Sequence, residues 1–386
     1  MKASPSNLAL RQQSTVPVHF TRDIFSHDNG IISGLFDSSS QRKLLVFNEL
    51  PCPIKRHDPI RKIFDYTAYH HLELDLVEVR SELLSEKPAT QRQVETGLIL
   101  RAITKHCAKH HSYILAVGGG TFLDAIGAYT GRANHSIRLI RMPTTVLEQM
   151  CPGSGIKKAF NYVGNKIRTR TFVPPFAVVN DLNFLHRPPY RDWREGIAKA
   201  IRLAVMQDGD LFGQIERDIS LIVGVFKPAG LERLVIRCSE LHMESTGSEG
   251  VFENGSIQPL SFGGWAADKL EVASDDLGHG AAVAIGVAID SIYSQLEGRL
   301  SSVDCDRILH LLSALNFDLW VPECDGLEEF REHLGGRLMG PLPETIGRGV
   351  LVHQLDADLF KRTLQALLSK ATRFSISKQR GFRYPP

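Results

Sequence analysis

The sequence predicts an α/β domain with a mostly parallel, Rossmann-like sheet, followed by an α-helical domain. Three observations carry this. The chain has 386 residues, beyond the roughly 250–300 at which a single hydrophobic core stops growing. Through its first half, strand-like and helix-like segments alternate, which is the rhythm of βαβ units. Past about residue 180 the pattern changes to long helical stretches, among them DWREGIAKAIRLAVM and AAVAIGVAIDSIYSQLEG.

Each element follows from local pattern. KLLVFNEL (43–50) is an apolar run closed by a polar, proline-containing break, and reads as a buried strand. LELDLVEV (72–79) reads as another strand, and TQRQVETGLILRAITKHCAKHH (90–111) as an amphipathic helix. SYILAVGGG (112–120) is a strand running into glycines, and SIRLIRMPTT (136–145) is the next strand and turn. In FVPPFAVVNDLNFL, Pro174 and Pro175 interrupt the pattern, which sets the sheet domain at 1–178 and the helical domain at 179–386. From Lys370 onward the chain carries Arg373, Lys378, Arg380 and Arg383 with no acid. This reads as a solvated basic tail, with polyanion binding as the alternative.

Composition narrows the function classes. Hydrophobic residues make up 43% and charged residues 23%, as in ordinary soluble globular proteins. A net charge of +2 is too small to make nucleic acid or a membrane surface the main partner. No apolar run approaches the ~18 residues of a membrane span, and the first residues hold no sustained apolar core of a secretory signal. The six cysteines lie scattered without a C-x-x-C pair, which points to reduced thiols and a cytoplasmic protein.

The chemistry-bearing stretch is AVGGGTFLDAIGAYTG (116–131). Glycines between a strand and a helix let backbone approach a pyrophosphate, and the helix N-terminus offers free N–H groups and partial positive charge. Gly119 and Gly120 are therefore candidate cofactor contacts, with Asp124 expected in the first helical turn, facing the loop. A tight turn without ligand is the competing account, because G-G-G is a weaker fingerprint than G-x-G-x-x-G. RMPTT (141–145) ends the next strand at the same sheet edge, where ligands of open α/β sheets bind, so Thr144 and Thr145 join the candidates. GSGIKKAFNYVGNKIRTRTFVPP (153–175) adds Lys157, Asn161 and Lys166. This segment suits a phosphorylated ligand, unless it is a solvated basic loop.

The order G-G-G-x-x-x-D, P-T-T, G-x-K-x-x-x-N-x-x-x-x-K and P-P resembles the dehydroquinate synthase-like sugar phosphate cyclases. NKIRTRTFVPP, EGIAKAIRLAV and LEEFREHLGGRLMGPLPETIGRGVLVHQLD are similar to the 2-epi-5-epi-valiolone synthase branch. The resemblance runs from about residue 17 to residue 368. It implies an NAD-binding N-terminal domain, a helical C-terminal domain, an active site in the cleft between them, and a homodimer. It also implies a sugar phosphate substrate such as sedoheptulose 7-phosphate. In such enzymes NAD transiently oxidises a hydroxyl, phosphate leaves, the hydride returns, and an aldol step closes a carbocycle. A zinc or cobalt ion held by one glutamate and two histidines polarises the reacting carbon. Carried over by position, Gly119, Gly120, Asp124, Thr144 and Thr145 match cofactor contacts, and Asn48 falls where the adenosine ribose is held. Lys157, Asn161 and Lys166 match residues facing substrate or cofactor.

Here the pattern breaks. The family's G-x-A-E reads Gly196-Ile197-Ala198-Lys199, replacing a glutamate ligand by a lysine. Its F-G-H-T reads Phe262-Gly263-Gly264-Trp265, and a further active-site histidine is Asp268. His279 matches the third ligand, while Cys151 stands for an aspartate and Asn134 or His135 for an arginine of the phosphate site. A catalytic zinc needs about three protein ligands, so the metal implied by the resemblance is expected to be absent. Two substitute sites are conceivable. One uses Asp268, Asp275, Asp276 and His279; the other uses His106, Cys107, His110 and His111, which otherwise read as cations at a helix C-terminus.

Lys199 shares a helical face with Glu195 and Arg202, so a surface ion pair is one account. The other is catalytic: its ammonium supplies the missing positive charge beside an oxyanion, or forms a Schiff base. His279 then acts as acid or base rather than as a ligand. The expected activity is an atypical, metal-independent, NAD-dependent carbon–oxygen lyase and cyclase of cyclitol secondary metabolism. The alternative is an inactive homologue that binds NAD or a sugar phosphate and regulates or partners an active cyclase.

Overall fold

A computed structural model of the chain describes residues 16–37, 42–50, 59–80, 89–106, 112–133, 137–151, 175–186, 190–224, 228–247, 262–274, 277–327, 340–352 and 356–381. It divides into two compact units, Met1–Pro189 and Tyr190–Pro386.

The first unit is a parallel sheet of β1 (Val18–Thr21), β2 (Lys43–Leu50), β3 (Glu73–Arg80), β4 (Tyr113–Gly118), β5 (Arg138–Pro143) and β6 (Ala177–Asp181). Spatial order is β1-β6-β5-β4-β2-β3, and every neighbouring pair is parallel. Its helices are α1 (Ile31–Gly34), α2 (Pro59–Tyr69), α3 (Ala89–His106), α4 (Gly120–Ala133) and α5 (Val146–Gln149).

Strands covered on both faces need no polar alternation, and β4 is buried along its whole length. On one face Tyr113, Leu115 and Val117 pack with Val46, Ile140 and Met142, and with Ile63 and Tyr66 of α2. On the other, Ile114 and Ala116 pack with Phe47 and Leu139, against Phe122, Leu123 and Ile126 of α4 and Ile99 and Ile103 of α3. Parallel pairing brings all C-terminal strand ends to one edge. The register pairs Asn48 with Val117 and Gly118 with Pro143, so the glycine turn sits between the ends of β2 and β5.

The division falls after Pro189 rather than after residue 178. The stretch that follows the proline pair becomes β6, hydrogen-bonded to β1 and β5. Asp181 at its end accepts from the backbone N–H of Ile24 (2.9 Å) and of Asn183 (3.0 Å). These bonds keep the segment with the sheet.

The second unit comprises α6 (Tyr190–Gln207), α7 (Gly209–Gly224), α8 (Pro228–Gly247), α9 (Gly264–Ala273), α10 (His279–Leu296), α11 (Ser302–Ala314) and α12 (Ala357–Gly381). An antiparallel hairpin, β7 (Gly340–Thr345) and β8 (Arg348–Val352), accompanies them. α10 is apolar nearly all round and is buried from Gly280 to Ser294 apart from Ala281, as a central helix must be. It packs against α6, α9 and α12. Its closest crossing is backbone on backbone: Gly263 takes φ +66°, and a Cβ there would lie 2.5 Å from the Val287 nitrogen. Only glycine fits that combination of conformation and space.

The basic tail expected from Lys370 onward is instead helical through Gly381, as the last part of α12. Nothing between Ala357 and Gly381 breaks a helix, and Lys370 is anchored to Asp306 at 2.5 Å. Among the described residues, no helix is long and apolar enough to cross a membrane.

Candidate active-site residues in the two units

In the first unit the candidates converge on the glycine turn. Gly119 lies between β4 and α4, and Thr144 donates its backbone N–H to the Gly118 carbonyl (3.0 Å), tying the end of β5 to the turn. Thr145 caps α5, accepting from the Glu148 N–H at 3.4 Å. Two buried side-chain atoms beside the turn find no hydrogen-bond partner among the described residues: Asn48 Nδ2 at the end of β2 and Thr144 Oγ1 just after β5. Buried polar groups are normally paired, so these two atoms mark where a polar ligand would be held.

The glycines divide by purpose. A Cβ on Gly118 would meet Glu49 Oε2 and Phe122 Cδ1 at 2.5 Å, and one on Gly120 would meet Glu148 Oε2 at 2.7 Å. Internal packing therefore explains both. At Gly119 a Cβ would find only ordinary contacts, Thr145 Cγ2 at 3.4 Å and Glu49 Oε2 at 3.6 Å. Packing does not require glycine there, whereas close approach of a ligand does. The turn and its two unpaired donors thus fit a dinucleotide.

Asp124 differs from its expected place. The helix starts at Gly120 with no acid in its first turn, and the Asp124 carboxylate is bound to Arg141 of β5 at 2.8 Å. Arg141 also reaches Glu148 at 3.1 Å. All three side chains are buried, so this is an ion cluster in which Asp124 is already paired. Sequence reasoning missed Arg141, Glu148 and Glu49; Glu49 Oε2 accepts the Gly119 N–H at 2.5 Å.

The second unit carries the positions that the resemblance assigns to metal ligands. Lys199 is half-buried on α6. Its expected surface partner, Glu195, is bound instead to Arg191 at 3.0 Å. Helix crossing explains why: Glu195 packs against Gly280, and its Oε1 lies 2.8 Å from where a Cβ of Gly278 would be. The carboxylate is thereby held at the N-terminus of α10, which favours negative charge. Among the described residues, no carboxylate lies within ion-pair distance of Lys199.

Gly264 opens α9, and a Cβ there would sit 3.1 Å from Arg202 Nη2. A buried guanidinium thus lies where a ligand side chain would start. Arg202 acts electrostatically on Asp290 of α10, which accepts from the Gly263 N–H (2.6 Å) and from Trp265 Nε1–H (3.1 Å). Burial pushes the Asp290 carboxyl up to about 7, against the pull of those two donors and of Arg202.

His279 is the first residue of α10 and is hydrogen-bonded through Nδ1 to Glu271 of α9. A carboxylate only accepts, so Nδ1 donates here and Nε2 is the ring nitrogen left for another group. Lys199 and Gly264 offer no ligand atom for a divalent ion, and His279 alone does not make a three-ligand site. The residues present do not fit the metal.

Among the described residues no group of three or more His, Cys, Asp or Glu is placed to hold an ion; half or more of each substitute cluster lies outside them. Asp268 is exposed on α9, and Asp275 and Asp276 lie outside the described residues. His106 bonds Asp75 at 2.8 Å, and burial lowers its pKa despite that partner, so it is not the cation expected at the end of α3. Cys107, His110 and His111 lie outside the described residues, as do Lys157, Asn161, Lys166, Asn134 and His135. Cys151 is buried and forms no disulfide among the described residues.

The family model described as 3-dehydroquinate synthase N-terminal matches residues 84–195. The adjoining 3-dehydroquinate synthase C-terminal model matches residues 196–335. A 2-epi-5-epi-valiolone synthase from Actinomyces sp is 26% identical over 314 residues, 77% of this chain and 80% of that protein. Among solved structures, the 2-epi-5-epi-valiolone synthase ValA from Streptomyces hygroscopicus subsp. jinggangensis 5008, with NAD+ and Zn2+ bound, aligns with TM-score 0.78 at 21% identity. That alignment covers 95% of this chain and 100% of ValA. A 2-deoxy-scyllo-inosose synthase complexed with carbaglucose-6-phosphate, NAD+ and Co2+ aligns with TM-score 0.75 at 17% identity, covering 94% of this chain and 99% of its own. Two adjoining family models and full-length likeness in fold lead to one assignment: this chain belongs to the dehydroquinate synthase-like sugar phosphate cyclases.

Proposed function

We propose that the protein is a metal-independent, NAD-dependent lyase and cyclase acting on a sugar phosphate like sedoheptulose 7-phosphate. One feature carries the reading: at the positions that the resemblance assigns to metal ligands, this chain has a half-buried lysine without a carboxylate partner among the described residues, and a glycine faced by Arg202. Positive charge is retained while its carrier changes from an ion to side chains. NAD, when bound, supplies a reversible hydride acceptor. Asn48 and Thr144 offer it buried donors, and the N–H groups at the start of α4 offer its pyrophosphate an anion seat.

Lys199 places an ammonium beside the oxygen that becomes negative, and stabilises it electrostatically. His279 takes or returns a proton at Nε2, oriented by Glu271. Lys157, Asn161 and Lys166 bind the phosphate end and the cofactor. The protein works in the cytoplasm as a homodimer, with neither nucleic acid nor membrane as partner, in cyclitol secondary metabolism.

The test is chelator-treated protein incubated with NAD+ and sedoheptulose 7-phosphate, followed by phosphate release and by mass spectrometry for a carbocycle. Phosphate release without added metal, and no stoichiometric zinc or cobalt in the purified protein, is the expected outcome. Metal-dependent release overturns metal independence. NAD binding without turnover on any family substrate favours the inactive, regulatory homologue, a reading that the replaced ligand positions also accommodate.

A further inference from the structure

We propose that Glu49 is an internal competitor for the phosphate seat of the glycine turn, so that cofactor affinity is set by how readily its carboxylate leaves the Gly119 N–H. The inference rests on the dinucleotide reading of that turn. Glu49 stands at the end of β2, the strand beside β4, and accepts the Gly119 N–H at 2.5 Å. The start of α4 is an anion seat, because its N–H groups are unpaired within the helix and its dipole favours negative charge. The anion in that seat here is the protein's own.

The surrounding residues are built to admit it. Gly118 leaves room for Glu49: a Cβ there would lie 2.5 Å from Oε2 and 2.9 Å from the Glu49 Cβ. The other acid at the turn, Glu148, is bound to Arg141, which also binds Asp124. Among the described residues Glu49 has no cationic partner, so nothing but the turn holds its carboxylate in place. On either side stand the unpaired donors Asn48 Nδ2 and Thr144 Oγ1. A ligand presenting phosphate to Gly119 and acceptors to those donors would satisfy all three, which Glu49 alone does not. Arrival of a dinucleotide is then an exchange: the Gly119 N–H passes from carboxylate to phosphate, and Glu49 swings toward solvent to avoid a like charge.

The test compares wild type with Glu49→Gln and Glu49→Ala by titration calorimetry against NAD+ and, separately, inorganic pyrophosphate, with melting temperatures of the unliganded proteins as the folding control. Glu49→Gln preserves shape and removes the charge, so the test stands on it if the alanine variant folds poorly. Both ligands should bind about tenfold more tightly to the variants, about 1.4 kcal/mol. Unchanged or weaker NAD+ binding overturns the inference while leaving the dinucleotide reading intact, since Glu49 would then be neutral or a direct cofactor contact. Tightening for NAD+ but not for pyrophosphate also overturns it, because the effect would lie away from the phosphates. If no form binds NAD+, the dinucleotide reading falls and the inference with it.

Discussion

The glycine turn of the first unit and the α6–α9–α10 cluster of the second differ in what carries their chemistry. At the turn the candidate contacts are mainly backbone, N–H groups at a helix start and a glycine with space beside it, joined by two side-chain donors, Asn48 Nδ2 and Thr144 Oγ1, at strand ends. In the helical cluster the candidates are side chains projecting from three helices. Backbone sites are fixed by the fold and outlast changes of side chain around them. Side-chain sites can be rewritten by single substitutions, and the resemblance reads Lys199 and Gly264 as two such changes.

The sharpest break of this comparison is at Gly119. Gly119→Val adds a side chain where only ordinary contacts await it, so the unit should fold while the approach to the turn closes. The expected result is loss of measurable NAD+ binding by calorimetry, with a melting temperature near that of wild type. Undiminished affinity would show that the turn is merely a tight connection.

Next in size is Lys199→Met. An electrostatic stabiliser removed from a preorganised site typically costs ~10²- to 10³-fold in rate. Turnover of the sugar phosphate should fall by that factor, with NAD+ affinity and melting temperature unchanged. Normal turnover would reject the substitution of charge for metal. Restoring a histidine at position 264 is a poor converse, because Arg202 Nη2 stands 3.1 Å from the new Cβ and has to move first.

How much of this was legible follows from the range of the interactions. The strand, turn and helix over β4 and α4 were readable because an apolar run ends in glycines within one short window. That Gly119 and Thr144 lie at one sheet edge was readable because parallel strands deliver their ends there, whereas Asn48 entered only through the resemblance. Glu49 was not, since its partner Gly119 lies 70 residues away and nothing local separates a strand-end acid from a solvated one. Asp290 left a faint signal, a lone acid in the apolar run AAVAIGVAIDSIYS, but its donors at Gly263 and Trp265 appear only once α9 and α10 cross. The β7–β8 hairpin was missed because Pro341 and Pro343 fall inside its first strand, where proline argues against a strand.

Asp290 yields a smaller, graded effect. Its folded pKa, about 7, lies above the ordinary aspartate value of about 3.9, so the fold favours the protonated form. Stability from this group is complete below about pH 4, declines as pH rises, and is flat above about 7. Relative to Asp290→Asn, wild type should lose stability in urea unfolding between pH 5 and 7, by at most about 1.4 kcal/mol per pH unit. A gain over that range would mean that Arg202 and the two N–H donors outweigh burial.

The smallest expected effect separates the two accounts of Lys199 most directly. If the lysine served only a surface pair with Glu195, a double-mutant cycle between them would return the few tenths of a kcal/mol usual for helical i,i+4 pairs. In the structure Glu195 is engaged by Arg191 at 3.0 Å and sits against the start of α10. Coupling between Lys199 and Glu195 should therefore be indistinguishable from zero. The cycle between Arg191 and Glu195 should give about 0.3–0.5 kcal/mol, reduced by salt because Arg191 is exposed. Chemical denaturation of the alanine singles and doubles at low and high salt measures both. A Lys199–Glu195 coupling equal to that of Arg191 would return Lys199 to the helix surface, and with it the helical cluster would lose its claim to a charge that replaces metal.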